Sequence, residues 1–186
     1  MKRILLTLLV ALLWQGPAQA DRLYRVEMLV FANLDPQAFA GEYWPVDPGE
    51  PDLTDAPPLS ELNTAPTRLD GIAHRLDASG RYRTLFHRAW IQSPGAHSLR
   101  LDGDDGGLMG RVRISRGRFL HVDLDLRLTG PRPEGWIIGA DQAPAGEGGF
   151  PFRMQAHRKM RPGRLHYIDH PLFGVVMRID RVTAKE

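Results

Sequence analysis

The chain has 186 residues, enough for one domain with a substantial core, and carries 24 Lys and Arg against 22 Asp and Glu. It has no cysteine, which excludes disulfides, thiol redox chemistry, cysteine nucleophiles and cysteine-ligated zinc. Without Lys2 and Arg3 the 24 bases become 22, equal to the 22 acids, so only local clusters of charge remain to argue from.

Residues 1–20 have the three parts of a secretory signal. Lys2 and Arg3 are followed by an apolar run over residues 4–14 interrupted only by Thr7. Gly16 and Pro17 break it, and Ala18-Gln19-Ala20 offers a small-x-small cleavage site. As a helix the run reaches about 16 Å, roughly half a bilayer's hydrocarbon core, so it does not read as a membrane span. There is no twin arginine and no cysteine at the cleavage point, which predicts the general secretion route and no lipid anchor. The expected product is a single domain over residues 21–186 in a bacterial periplasm, with no membrane span after cleavage.

Residues 23–31 predict a strand. Tyr24, Val26, Met28 and Val30 lie on one face and Leu29 and Phe31 on the other, as in a central strand covered on both sides. Residues 33–65 carry six prolines and predict a long acidic loop, with Phe39, Tyr43 and Trp44 packing part of it back. Residues 66–79 predict the helix: Leu69, Ile72, Ala73 and Leu76 form an apolar face, Asp70 and Asp77 face outward, and Gly80 suits the position just past the end.

The remainder is strand-like. Residues 81–92 alternate, with Tyr82, Phe86 and Trp90 on one side and Leu85, His87, Ala89 and Ile91 on the other. Residues 108–128 predict a hairpin turning at Ser115-Arg116-Gly117, its outer face bearing arginines on one strand and aspartates on the next, as cross-strand ion pairs. Residues 129–151 are a second Gly/Pro-rich loop with an apolar island at Trp136, Ile137 and Ile138. Residues 152–160 alternate apolar with basic, Pro162-Gly163 fits a type II turn, and short strands follow over 165–169 and 174–179. The expected fold class is α+β: mainly antiparallel sheet with one packed helix and long Pro/Gly-rich loops.

The charge is split along the chain. Between Arg25 and Arg68 there are acids and no bases, whereas residues 150–186 hold eight bases and three acids. The two regions facing each other, or an anionic partner for the basic end, would each explain the split. Arg158, Lys159, Arg161 and Arg164 bracket the Pro162-Gly163 turn, with His166 beside it, and read as a basic hairpin suited to carboxylates through the arginine fork. Sugars would call for exposed aromatic faces, with Trp44, Trp90 and Trp136 as candidates. Nucleic acid is excluded as a partner by the expected destination.

Other constellations fail on spacing. His166 and His170 flank Tyr167-Ile168-Asp169, but on a strand four residues span about 13 Å, too far to share a metal. In that segment Tyr167 is expected inward, with Asp169 bracing the turn over residues 170–174, while the Asp102–Gly107 stretch lacks the later ligands of a calcium loop and reads as a hairpin loop. No nucleophile elbow or phosphate-cradling loop is present. Asp123 and Asp125 sit on one strand face beside arginines, which keeps them ionised and unsuited to general acid work. No catalytic residue, metal or cofactor is expected.

The segment Arg158-Lys159-Met160-Arg161-Pro162-Gly163-Arg164-Leu165-His166-Tyr167-Ile168-Asp169-His170-Pro171-Leu172-Phe173-Gly174-Val175 resembles the C-terminal signature of the CsiV family of periplasmic peptidoglycan-binding proteins. The strand from Tyr24 to Phe31, the segment from Tyr82 to Gln92 and Gly117-Arg118-Phe119-Leu120-His121-Val122 are similar to further blocks of that family, in its order. The resemblance implies a non-catalytic peptidoglycan-binding accessory of cell-wall assembly and cell shape in a Gram-negative envelope. Its implied partners are peptidoglycan and a bifunctional penicillin-binding protein with its outer-membrane lipoprotein activator. The binding residues expected from the sequence are Arg158, Lys159, Arg161, Arg164, His166, Trp90 and Trp136. A protein-interaction module without polymer contact, or a wall hydrolase, would be the alternatives.

Overall fold

A computed structural model describes residues 22–35, 47–95, 97–105, 107–131 and 149–183. The signal segment, residues 36–46 of the first long loop, residues 132–148 of the second, and with them the aromatics Phe39, Tyr43, Trp44 and Trp136 lie outside the described residues.

The described residues form eight strands: β1 Tyr24–Asn33, β2 Tyr82–Gln92, β3 Ser98–Asp102, β4 Leu108–Arg116, β5 Leu120–Gly130, β6 Phe150–Met160, β7 Leu165–Ile168 and β8 Phe173–Arg181. They form two four-stranded antiparallel sheets, ordered β2-β1-β8-β7 and β3-β4-β5-β6. The inner faces share one core, in which Tyr24, Val26 and Met28 of β1 and Val175, Met177 and Ile179 of β8 meet Val112, Ile114, Val122, Leu124 and Leu126. The fold class is α+β, as the sequence predicts, with the strands divided between two layers.

The helix, α1, spans Asp70–Ala78 and packs on β2, on the outer face of the first sheet. It is four residues shorter at its start than the apolar pattern predicts. The reason is Glu27 on β1: its Oε1 accepts the backbone N–H groups of Arg68 and Leu69, so the chain is held there before it coils. Leu69 is buried at the helix entrance, and Gly80 takes a φ of 67° just past the end, as expected. Asp70 and Asp77 are exposed, and Asp77 accepts the Thr84 N–H.

β1 is central and buried on both faces, with Leu29 on the helix side alongside the charged pair Arg25 and Glu27. β2 departs from simple alternation. Val30 pairs with Phe86 but Phe31 pairs with Thr84, so Leu85 is bulged and the parity of the strand reverses there. Tyr82 therefore lies not with Phe86 and Trp90 but on the opposite face, edge-on to Phe31 at 5.2 Å. Tyr167, expected inward, is 54% exposed and stacks on Phe31 instead, while Ile168 takes the core position.

Candidate functional site

The basic segment is not a hairpin. β6 belongs to one sheet and β7 to the other, so Pro162-Gly163 carries the chain over the edge of the sandwich. The turn is closed by the Arg164 N–H donating to the Arg161 carbonyl, with Gly163 at φ 75° as a type II turn requires. The Gly163 N–H donates to the Ile179 carbonyl, and the Arg161 N–H to His166 Nε2 at 3.1 Å. His166 is thus engaged in bracing the corner, with its acceptor nitrogen already used.

Arg158, Lys159, Arg161 and Arg164 are all exposed. Among the described residues, no carboxylate lies within ion-pair distance of any of the four. Most other arginines are engaged: Arg25 with Glu27 and Asp180, Arg88 with Asp104, Arg113 with Asp123, Arg153 with Asp125, and Arg178 with Asp180. The acidic segment meets the basic region in part, through the Pro48 carbonyl accepting from Arg153, while Glu50 pairs with Arg127 outside that region. The corner is left with uncompensated positive charge.

The register brings a second turn alongside. Arg116 pairs with Leu120 and Leu120 with Met160, so the β4–β5 turn sits at the same end of its sheet as the corner. It adds Arg116, Arg118 and Phe119, a contribution that sequence reasoning missed because turn residues far apart in the chain show no linear signal. Phe119 is 40% exposed, with Lys159 Nζ 3.2 Å from the centre of its ring and the Arg118 guanidinium 5.4 Å away.

Trp90 does not join this surface. It has no exposed area, fills the core between the sheets, and donates from Nε1 to Gln92 Oε1 at 2.6 Å. Its alternation in β2 marks an inward residue, so the expectation that it offers a face to a sugar is corrected. Trp136 lies outside the described residues.

The outer face of the β3–β6 sheet carries the ion pairs expected of it. Arg113 donates from Nε and Nη2 to Asp123 Oδ2 at 3.1 and 3.0 Å, and Arg153 grips both oxygens of Asp125 at 2.7 and 2.9 Å. Asp125, read as exposed, is buried beneath Arg153. Burial would raise the Asp123 carboxyl, but hydrogen bonds from His157 and Arg113 outweigh it and hold the group below the usual carboxylate range. His157 Nδ1 meets Asp123 Oδ1 at 2.6 Å, and its Nε2 lies 3.1 Å from His121 Nδ1, a string from carboxylate to ring to ring. Calcium-loop residues Asp102 to Asp105 join β3 to β4 as a hairpin loop, where the Gly103 N–H donates to the Leu108 carbonyl.

The model of a family described as peptidoglycan-binding protein, CsiV, matches residues 50–182. No curated protein and no solved structure matches the chain.

Proposed function

We propose, from the premise that the chain belongs to the CsiV family of peptidoglycan-binding proteins, that it binds the wall polymer through its basic corner. The observation that carries this reading is the exposed set Arg158, Lys159, Arg161 and Arg164, with no carboxylate partner among the described residues, beside the Arg116–Phe119 turn. An arginine fork without an internal partner is available to a carboxylate, and stem peptides of peptidoglycan supply carboxylates. The protein acts by binding, as a non-catalytic accessory of wall assembly. It works after export, as a domain over residues 21–186 in the periplasm, alongside a bifunctional penicillin-binding protein and its outer-membrane lipoprotein activator.

The test is co-sedimentation with purified sacculi. Four exposed charge contacts at roughly 0.5 kcal/mol each sum to about 2 kcal/mol, or roughly 30-fold in affinity. Changing Arg158, Lys159, Arg161 and Arg164 together to Ala is expected to leave the protein folded and in the supernatant. Retention of the variant in the pellet would refute the corner as the contact. Release of soluble muropeptides by the wild type would indicate hydrolysis, and loss of binding once other envelope proteins are removed would indicate an interaction module.

A further inference from the structure

The register of the β3–β6 sheet lays out two rows of side chains across its outer face. One row is Ser98, Arg113, Asp123 and His157; the next is Arg100, Arg111, Asp125 and Gln155. Ser98, Arg111, Arg113, Asp123, Gln155 and His157 line an open groove of about 450 Å³ there. That is room for a ligand the size of a dipeptide.

The groove's two carboxylates, Asp123 and Asp125, are not shared evenly between its two arginines. Asp125 is already clamped by Arg153 through both oxygens, and Arg111 reaches it only at 3.7 Å. Arg111 also stands directly opposite Arg100 across the strands, a like-charge pairing that costs stability unless an anion intervenes. Arg100 turns to Asp102 at 3.2 Å, so Arg111 keeps the longer approach to Asp125 and the field of Asp52. Beside it, Arg113 spends Nε and Nη2 on Asp123, leaving Nη1 without a hydrogen-bond partner among the described residues, and Ser98 lies opposite Arg113. Two guanidinium groups and a hydroxyl thus border one groove whose carboxylates are already taken.

We propose that this groove is a second binding site, taking a peptide carboxylate between Arg111 and Arg113 with Ser98 as a further donor. It rests on the wall-binding reading for the source of the ligand, a stem-peptide terminus. The next row along the same face is Ser115, His121 and Lys159, so the groove leads by way of the His121–His157 pair to the basic corner. The two sites form one track, on which a strand of polymer held at the corner can present a peptide end to the groove.

The probes are N-acetyl-D-alanyl-D-alanine and its C-terminal amide, which differ only in the carboxylate. Titration of the full mature protein is followed by the arginine Nε resonances, with inorganic phosphate as a comparison anion. The acid is expected to shift the Arg111 and Arg113 signals while the amide does not, with binding at roughly millimolar concentration. Arg111→Gln, which removes a like-charge opposition and leaves the fold intact, is expected to weaken the acid at least about tenfold, and Ser98→Ala to weaken it less. Equal responses to acid and amide, an unchanged affinity in Arg111→Gln, or no response at all would overturn the proposal. Tighter binding of phosphate than of the acid would overturn the carboxylate assignment. Sacculus pelling by the corner variant fails or succeeds independently of these peptide titrations, so the two readings can fall separately.

Discussion

The buried Glu27 on β1 fixes the start of a helix whose entrance, Leu69, lies 42 residues further along the chain. One oxygen of its carboxylate accepts the N–H groups of Arg68 and Leu69 and lies 2.9 Å from His87 Nε2; the other accepts from Arg25 Nη2 at 2.9 Å. Arg25 in turn donates to the Pro66 carbonyl and to Asp180. The helix, the segment before it and three strands, β1, β2 and β8, are tied through one ion pair that solvent does not reach.

Glu27→Gln keeps the shape and removes the charge, leaving Arg25 buried without its close anion. The expected loss is about 3 kcal/mol, in line with breaking one side of a buried pair. Urea denaturation checks it as a lower midpoint at unchanged slope.

Gly174 makes room for the Phe31–Tyr167 stack. A Cβ there would lie 2.6 Å from Phe31 Cζ and 2.8 Å from Tyr167 Cε2. Gly174→Ala is expected to destabilise by about 1–3 kcal/mol through overpacking. Combining it with Phe31→Leu should cost less than the sum of the two single changes, which a double-mutant cycle measures.

His170 gives the fold a pH dependence. Burial pushes its pKa down to about 4, only partly offset by the nearby Asp169. Because the folded value lies below the ordinary 6.5, the unfolded chain binds the extra proton first. Stability is therefore complete above pH 6.5, declines as pH falls, and has lost this contribution below about pH 4. The contribution is on the order of 2–3 kcal/mol. His170→Asn, which can still accept the Leu172 N–H now accepted by His170 Nδ1, should flatten the stability profile between those limits in urea melts.

Trp90→Phe should lower stability by about 1 kcal/mol through loss of the bond to Gln92 and some packing. Pelleting with sacculi by the folded protein should not change. A parallel loss of pelleting would restore Trp90 to the binding surface.

The alternation from Leu120 to Leu128 was legible because a strand with one wet face writes its period directly into the sequence, and the Arg113–Asp123 pair followed from it. The bulge at Leu85 was not, since one extra residue leaves both halves of β2 alternating and only the partner strand reveals the slip. Nor was the corner: a Pro-Gly turn looks the same whether the strands it joins pair together or lie in different sheets. The basic residues at the turn were visible, but Arg116, Arg118 and Phe119 join them only through the pairing of β5 with β6. The groove was hidden for the same reason, because the opposition of Arg100 and Arg111 is a property of register.

The place of β1 between β2 and β8 bears on how the chain comes to be folded at all. Tyr24 pairs with Arg181, so one edge of the central strand has no partner until β8, far along the chain, has been made. Closing so large a loop is slow, and loops of this kind govern the rate at which β-rich chains reach their native state. A chain with this order keeps its first sheet incomplete until β8 has been made. If the chain is exported as proposed, that delay would help it pass through a narrow pore before it folds.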